Sequence, residues 1–488
     1  MIKKFFKDSA VYSFGTVITR GIQIVMVPIY TRLLTPSDYG IMDMLMVVAG
    51  FANVAVALEI GQGFSRFYSD ATTEVDKMEY SSTSLWFVLA TYSLFLVVAL
   101  LFAGDFNSVI ISSRSSVLIF QIAMISIWGS GVFTYLRNQL RWYLKPKYFA
   151  LSSIIYTFVA YSTTIVLMVV FHFRVLGVFW GMIAGYGAGN LASWYFSKSN
   201  YRFTFNFAKL KEMLHYSIPL VPGSIGTVLF LYIDRIAIKD LMSLSDVGIF
   251  GIAYRFAAIV SLVLAGFQTA LIPLIYQNYK KSETPGEIVR IFNYFLIIVL
   301  AFVLALSLFS HEALVIFTTP SYYPAGRIIP IISFATLFMS LYIFTVGLAI
   351  AKKTKIIATI NIIGAVLNTG LNFSLIPVLG IAGASLSTLI SGMILFIVNM
   401  YFSQKYFFVP YKWLNITAAF LVSMGVIPLA IFLETITALS FLVMVAIKLV
   451  ILGLAVWIII RLLIGKQKFR LLLTEIRQIT GARFRAVS

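Results

Sequence analysis

The sequence contains no cysteine, only three histidines and few charged residues, which make up 11% of the 488 residues. The absence of cysteine excludes a disulfide framework, a thiolate metal site and a cysteine nucleophile. An average soluble domain has about 25% charged residues, whereas this chain is 60% hydrophobic. Because one globular core cannot hold so many apolar side chains, a soluble enzyme and a nucleic-acid-binding domain are both excluded.

The apolar residues form long continuous runs, which predict an all-α integral membrane protein. At about 20 residues for each span, the apolar content suits about 14 transmembrane helices. An outer-membrane barrel is excluded because its strands alternate between apolar and polar residues. The predicted spans are residues 11–34, 41–63, 81–103, 117–136, 149–171, 177–197, 214–238, 247–276, 289–309, 327–350, 356–376, 382–402, 414–433 and 440–460.

Lysine and arginine are distributed unevenly across this predicted topology. With both termini placed in the cytoplasm, the cytoplasmic segments hold 28 of the 37 Lys and Arg residues, and the opposite side holds 5. This is the positive-inside pattern, which predicts a multi-pass membrane protein with both termini in the cytoplasm. It accounts for the net charge of +19 without a nucleic acid as partner. The segment before span 1 lacks a small-residue cleavage site, so we expect an amphipathic lead-in rather than a removed signal peptide.

A repeated motif divides the first twelve spans into two halves. The sequence TPSDYGIMD at residues 35–43 is echoed 208 positions later by SLSDVGIFG at residues 243–251, and a Val-Leu-Gly echo before spans 6 and 12 has an offset of 203. The echoes predict two six-helix lobes, residues 1–200 and 201–405, in a parallel repeat related by a pseudo-twofold axis along the membrane normal. Residues 406–488 would add two transmembrane helices and a basic cytoplasmic tail. Paired lobes are typical of transporters.

Two segments resemble the signatures of a known family. They are PIYTRLLTPSDYG at residues 28–40 and YIDRIAI at residues 232–238, the latter followed by SDVGIF. In this order and on this topology, they resemble the oligosaccharide flippases of the Wzx or polysaccharide-transporter type. That family belongs to the MOP superfamily, which also contains the MATE multidrug exporters and the lipid II flippase MurJ.

The resemblance implies a MOP- or MATE-like fold and a bacterial inner-membrane transporter. Its substrate would be an undecaprenyl-diphosphate-linked oligosaccharide, moved between leaflets by alternating access, with a polysaccharide polymerase and export machinery as further partners. A lipid II flippase and a cation-coupled multidrug antiporter are the alternatives within the superfamily. An enzyme is disfavoured because the sequence shows no paired carboxylates, glycine-rich phosphate loop or Ser/His/Asp constellation. We expect neither a cofactor nor a metal.

Charged residues inside a membrane span are costly and therefore mark candidate functional positions. Arg20 and Gln23 lie on one polar face of span 1, and Arg255 lies in span 8 with no acid in the same span. We expect these side chains to line a lumen, where guanidinium groups would pair with the diphosphate. The alternative for Arg20 is an ion pair with Glu59 or Asp43, or an extended side chain that reaches the cytoplasmic interface.

Five further polar residues in the spans have two readings each. Asp234 and Arg235 are neighbours in span 7 and are expected either to contact substrate or to form an intramembrane ion pair that locks a lobe or gate. Asn361 and Asn368 share one face of span 11, where they suit sugar hydroxyls or hydrogen bonds between helices. Glu59, near the cytoplasmic end of span 2, is a candidate for proton coupling or a solvated carboxylate.

Lys448 lies in span 14, outside the two predicted lobes. We expect it to contact lipid headgroups or the tail of the substrate. The longest outside loops, roughly 104–116 and 310–326, are too short to fold as domains.

Overall fold

The secondary structure of the computed structural model is entirely helical in the residues it describes, which are 19, 21–111, 116–436 and 441–465. Within these residues, 12 helices are long and apolar enough to cross a membrane, and 2 shorter apolar helices, Gly21–Leu33 and Trp413–Leu429, accompany them. The prediction of an all-α membrane protein with about 14 spans is therefore confirmed. The lead-in before span 1 and the basic tail lie outside the described residues.

The helices are numbered in chain order, and short 3₁₀ turns connect several of them. Most coincide with one predicted span. They are α1 (Gly21–Leu33), α2 (Pro36–Ala55), α3 (Ile60–Asp70), α4 (Glu74–Leu101), α5 (Ala103–Ile110), α6 (Val117–Trp142), α7 (Pro146–Val169), α8 (Arg174–Ser197), α9 (Phe207–Ser217), α10 (Val221–Leu241), α11 (Leu244–Asn278), α12 (Thr284–Leu308), α13 (Ser310–Phe317), α14 (Ile329–Leu341), α15 (Val346–Ile350), α16 (Thr354–Leu379), α17 (Ile381–Tyr406), α18 (Trp413–Ile436) and α19 (Phe441–Ile464).

The predicted span 2 is broken into α2 and α3. Between these helices, Leu58 and Glu59 adopt left-handed backbone angles, with φ values of 48° and 53°. The break redirects the chain so that α3 packs closely on α9, where a Cβ at Gly63 would lie 2.5 Å from the carbonyl oxygen of Met213. Hydropathy does not show this break, because the apolar run that includes α2 extends past Leu58 to Ile60 before the more polar residues of α3 begin.

The segment 310–326, expected to be a loop, contains α13 and most of a 3₁₀ helix, Pro320–Arg327. Its Tyr322 is fully buried, and the hydroxyl donates a 2.9 Å hydrogen bond to the carbonyl oxygen of Leu34. Burial raises the pKa of Tyr322 well above its ordinary value, so the hydroxyl stays protonated and remains a donor. The segment therefore packs against the connection between α1 and α2.

Lys448 is buried inside the protein. Its ammonium lies 2.5 Å from Oε1 of Glu312, and the two side chains are only 2% and 11% exposed. The expectation that Lys448 contacts lipid headgroups or the substrate tail is therefore wrong. A lysine inside a span is more stable beside a carboxylate than in hydrocarbon, and Glu312 is supplied by α13, which the sequence does not reveal as a helix.

Contacts between Cα atoms divide the chain into two compact units. The first contains the described parts of Met1–Arg255 with Leu314–Ile328 and Lys355–Ser391, and the second contains the described parts of the remaining residues. In the first unit α8 packs on α6 and α7, and α2 packs on α10; in the second α12 packs on α14, α18 and α19. These groupings do not test the repeat, so the lobes 1–200 and 201–405 remain a prediction.

The two copies of the repeated motif each begin a helix. At α2, the Thr35 hydroxyl accepts the Asp38 N–H at 3.3 Å, and the Asp38 carboxylate accepts the Thr35 N–H at 2.9 Å. At α11, the Ser243 hydroxyl accepts the Asp246 N–H at 3.2 Å and donates to its carboxylate at 2.5 Å. Such caps satisfy backbone donors at a helix start, which explains why Ser or Thr precedes Asp by three residues in both copies.

The glycines of the two motifs allow the two helix starts to touch. A Cβ at Gly40 would lie 1.8 Å from the carbonyl oxygen of Leu244, and a Cβ at Gly248 would lie 1.9 Å from that of Pro36. Each distance is far below van der Waals contact. Because Leu244 and Pro36 occupy the same place in the two copies of the motif, the contact is reciprocal.

Adding a methyl group at this contact should separate the two helix starts. We expect Gly40→Ala and Gly248→Ala each to destabilise the contact between the starts of α2 and α11 by about 1–3 kcal/mol, the usual cost of overpacking. Since the chain has no cysteine, a single Val247→Cys, at a buried residue next to Gly248 in α11, can report on this contact by its rate of maleimide labelling.

Both alanine variants should label faster than the parent. Gly187→Ala is the control, because nothing lies within 4 Å of a Cβ built there. Equal labelling of the Gly40→Ala and Gly187→Ala proteins would show that the contact tolerates a side chain.

Candidate functional site

The most concentrated charge inside the described spans surrounds Asp43 on α2. The Nε of Arg235 donates to Oδ2 of Asp43 at 3.0 Å, and Nη2 of Arg255 approaches Oδ1 at 3.5 Å. Each carboxylate oxygen thus faces one guanidinium. The side chains of Asp43, Arg235 and Arg255 are 8%, 7% and 27% exposed, respectively. Two guanidinium groups thus share the carboxylate of Asp43, and the carboxylate of Asp234 also interacts with Arg235. Arg255 is the more exposed of the two guanidinium groups.

The second copy of the repeated motif makes room for this carboxylate. Gly251 of α11 lies opposite Asp43, and a Cβ at Gly251 would lie 2.5 Å from Oδ2 of Asp43. Gly251 is also the residue that corresponds to Asp43 at the offset of 208 positions. The acid of one copy therefore packs against the glycine of the other.

Aromatic rings surround the two guanidinium groups. The guanidinium of Arg235 lies 4.6 Å from the ring centre of Tyr254 and 5.5 Å from that of Tyr232. The guanidinium of Arg255 lies 4.9 Å from the ring centre of Tyr39. Guanidinium groups over aromatic faces are stabilised without losing their N–H donors. Arg255 therefore keeps donors with which an anion could be bound.

Asp234 has a separate set of partners on the far side of α10. Its Oδ1 accepts the amide of Asn372 at 2.7 Å, and its Oδ2 accepts the hydroxyl of Thr388 at 2.7 Å. The amide of Asn372 also reaches Oδ1 of Asn368 at 2.9 Å, and the amide of Asn368 reaches the carbonyl oxygen of Phe230 at 3.4 Å. These hydrogen bonds connect α10 with α16 and α17.

The sequence neighbours Asp234 and Arg235 thus belong to two different networks. Adjacent residues on a helix point in different directions, and each of these two has its partners on other helices. Arg235 forms an intramembrane ion pair with Asp43 and not with its sequence neighbour Asp234. Whether any of these groups contacts substrate remains a prediction.

The other predicted site residues are dispersed. Gln23 on α1 is exposed, and its side chain interacts with the hydroxyl of Tyr161 on α7. Asn361 is partly exposed, whereas Asn368, two turns later, is buried. Glu59 lies at the turn between α2 and α3, where it lines a cavity of about 140 Å³. Arg20 lies outside the described residues.

Asp43 and Thr388 are the members of these networks that the sequence analysis did not identify as site residues. A signal for Asp43 was present: it is the one in-span acid that falls inside the repeated motif, and Arg255 has no acid in its own span. Thr388 gave no signal, because threonine is common in membrane helices. Within the described residues, no group of three or more His, Cys, Asp or Glu side chains is placed to hold a metal ion.

Comparison with known proteins identifies the family. The sequence profile of the polysaccharide biosynthesis protein family matches residues 5–279, more than half of the chain. The chain belongs to the polysaccharide biosynthesis protein family. The MatE profile also matches residues 219–374, so this family member is a transporter of the MOP superfamily.

Solved structures share the fold of this polysaccharide biosynthesis protein. The lipid II flippase MurJ in an inward closed conformation superposes with a TM-score of 0.71 at 16% identity, over 93% of this chain and 100% of MurJ. An inward-facing MATE multidrug transporter superposes with a TM-score of 0.61 at 14% identity, over 80% of this chain and 97% of that chain. The predicted MOP-like fold is therefore confirmed.

One sequence relative of this family member is also a membrane protein. An uncharacterized membrane protein of Methanocaldococcus jannaschii is 24% identical over 419 residues, which cover 81% of this chain and 97% of the relative. A protein of the Lsg locus of Haemophilus influenzae is 22% identical over 294 residues, 57% of this chain and 68% of the relative.

Removing the shared carboxylate should destabilise this polysaccharide biosynthesis protein. We expect Asp43→Ala to lower the free energy of unfolding by about 3–5 kcal/mol, because two buried guanidinium groups lose their counter-charge. Asp70→Ala is the control, since Asp70 is 55% exposed and pairs with an exposed Arg66; its effect should stay within about 0.5 kcal/mol. Unfolding by sodium dodecyl sulfate in mixed micelles measures both, and equal effects would contradict the assignment.

The hydrogen bond from Thr388 to Asp234 should also contribute measurably. Thr388→Val should lower the free energy of unfolding by about 1–3 kcal/mol, because it leaves a buried carboxylate oxygen unsatisfied. Thr388→Ser, which keeps the hydroxyl, should retain most of the stability of the parent. Thr369→Val is the matched control, because the Thr369 hydroxyl bonds only within its helix, to Ala365 at 2.8 Å. In the same unfolding assay, a Thr388→Val protein as stable as Thr369→Val would refute the role given to Thr388.

Proposed function

We propose that this transporter flips an undecaprenyl-diphosphate-linked oligosaccharide from the cytoplasmic to the outer leaflet of a bacterial inner membrane by alternating access. The two guanidinium groups at Asp43, of which that of Arg255 is partly exposed, are the observation that carries the proposal. A diphosphate headgroup needs cationic donors in a region where lipid offers none. Arg255 is suited to this role because it is both held by Asp43 and partly exposed.

The same cluster would act as the outer gate. Asp43 belongs to the predicted first lobe, and Arg235 and Arg255 belong to the predicted second lobe, so their ion pairs would hold the lobes together. In the predicted topology, the motifs at Gly40 and Gly248 face the outside. A diphosphate that binds Arg255 would compete with Asp43 for its guanidinium, which would weaken the gate as substrate arrives.

The remaining predicted residues fit this scheme as secondary positions. Arg20 and Gln23 would extend the polar lining along α1 toward the cytoplasm. Asn361 would face sugar hydroxyls, whereas Asn368 and Asp234 would hold α10, α16 and α17 together. Glu59, beside its cavity, is the candidate for proton coupling. Membrane lipids surround the protein, and a polysaccharide polymerase and export machinery would receive the product.

Two members of the superfamily offer alternatives. A lipid II flippase has the same mechanism and the same diphosphate, and the MurJ-like fold favours it. A cation-coupled multidrug antiporter is suggested by the MATE-like fold. The partly exposed guanidinium of Arg255 argues against the antiporter, because a cation at the binding position repels cationic drugs. Since these relatives transport substrates rather than transform them, no enzymatic role is proposed.

Transport in proteoliposomes tests the proposal. The purified protein should make a fluorescent undecaprenyl-diphosphate oligosaccharide accessible to an impermeant reductant. Arg255→Ala should slow this transport roughly tenfold or more, since a charge-assisted bond to phosphate is worth about 1.5–3 kcal/mol. Arg255→Lys should restore part of the rate, and Arg66→Ala, which removes a side chain 58% exposed, should have no effect.

Each alternative has its own result. Transport of lipid II in preference to other diphosphate-linked sugars would assign the protein to the lipid II flippases. Ion-dependent export of a cationic dye would assign it to the antiporters. Undiminished oligosaccharide transport by the Arg255→Ala protein would show that the cluster is not needed for transport.

A further inference from the structure

A groove separate from the Asp43 cluster lies between α4, α6 and α8. It has a volume of about 500 Å³, which lies in the range of small-molecule sites. Its walls are mainly leucine, valine and tryptophan side chains. The one amide on the wall, Asn190, donates to the carbonyl oxygen of Gly129 at 3.1 Å. The apolar lining includes Leu85, Trp86, Leu89, Leu136, Leu191 and Trp194.

One end of the groove is cationic. Lys198 and Arg202 line it there, and no Asp or Glu is among the described lining residues. Both cations are exposed. The backbone beneath them is fixed, because the N–H of Arg202 donates to the Ser82 hydroxyl at 2.8 Å. A ligand for this groove must therefore combine a long apolar part with an anionic end.

The surroundings place this end at a membrane surface. Phe203, Phe205 and Phe207 follow the cations and are 91%, 53% and 71% exposed. Large aromatic side chains with such exposure are costly in water and typical of the zone between headgroups and acyl chains. Phe203 also packs edge-to-face on Trp86, with ring centres 5.2 Å apart. Basic residues in that zone attract anionic lipids.

We propose that the groove binds one resident anionic phospholipid, with its phosphate at Lys198 and Arg202 and an acyl chain along the wall formed by Trp86 and Trp194. The apolar wall and the cations that line the groove both match this ligand. A resident phospholipid, rather than the transported lipid, is favoured because the groove is formed by α4, α6 and α8, whereas the Asp43 cluster lies on α2, α10 and α11. Bound there, the lipid would join these three helices to the segment after α8.

Native mass spectrometry of the full chain in detergent tests the proposal. The probe is phosphatidylglycerol, with phosphatidylcholine of the same acyl chains as its uncharged counterpart. One phosphatidylglycerol should stay bound at concentrations where phosphatidylcholine does not. Lys198→Ala with Arg202→Ala should lower its occupancy roughly tenfold or more, since each cation near the surface contributes to anionic lipid binding.

Two control variants isolate the groove. Lys280→Ala with Lys281→Ala removes the same charge from an exposed pair in the turn between α11 and α12, and should leave the bound lipid in place. Trp86→Ala with Trp194→Ala should reduce binding, whereas Trp180→Ala with Trp413→Ala, two tryptophans that are each 42% exposed, should not. The Trp86→Ala with Trp194→Ala variant keeps the proposal testable if the Lys198→Ala with Arg202→Ala variant fails to fold.

Three results would overturn the proposal. Phosphatidylglycerol and phosphatidylcholine could bind equally. The Lys198→Ala with Arg202→Ala protein could hold phosphatidylglycerol as the parent does. Undecaprenyl phosphate could displace phosphatidylglycerol one for one, which would make the groove a part of the substrate path.

Discussion

The arrangement of the predicted site depends on one carboxylate shared by two guanidinium groups. Asp43 lies among apolar helices, where a single charge is unfavourable, and Arg235 and Arg255 lie in the same region for the same reason. Each oxygen of the Asp43 carboxylate faces one guanidinium, so the three side chains hold α2 against α10 and α11. The packing of these helices and the proposed function therefore depend on the same atoms.

Close packing makes this electrostatic arrangement possible. The glycines at positions 40, 248 and 251 remove the side chains that would otherwise keep α2 and α11 apart. The capping hydroxyls of Thr35 and Ser243 satisfy the backbone donors at both helix starts. A buried ion pair weakens as the distance between its charges grows. The interaction of Asp43 with Arg255 therefore depends on glycine at positions 40, 248 and 251.

The helical fold could be predicted from hydropathy, because a span must be apolar for about 20 residues whatever its partners are. The resemblance to a family, and the repeat at residues 35–43 and 243–251, were also readable from local sequence. The partners of charged residues were harder to predict. Arg235 has an acid beside it in sequence, yet its partner is 192 positions away.

Breaks and short helices were the other features that the sequence did not reveal. The turn at Leu58 and Glu59 lies at the end of the apolar run that includes α2, and it depends on the fit of α3 against α9. The pairing of Lys448 with Glu312 depends on α13, a helix of eight residues in a segment that is too short to score as a span. Tertiary packing decides these features, and local composition carries little information about them.

The reciprocal contact of Gly40 and Gly248 has a consequence for the origin of the chain. When two copies of a motif each contact the same position on the other copy, the interface is isologous, as in a symmetric dimer. A half-length chain with one copy would already have the surface needed to pair with itself. Asp43 opposite Gly251 is the place where the two copies of the motif are not equivalent, since one copy offers an acid and the other offers the space for it.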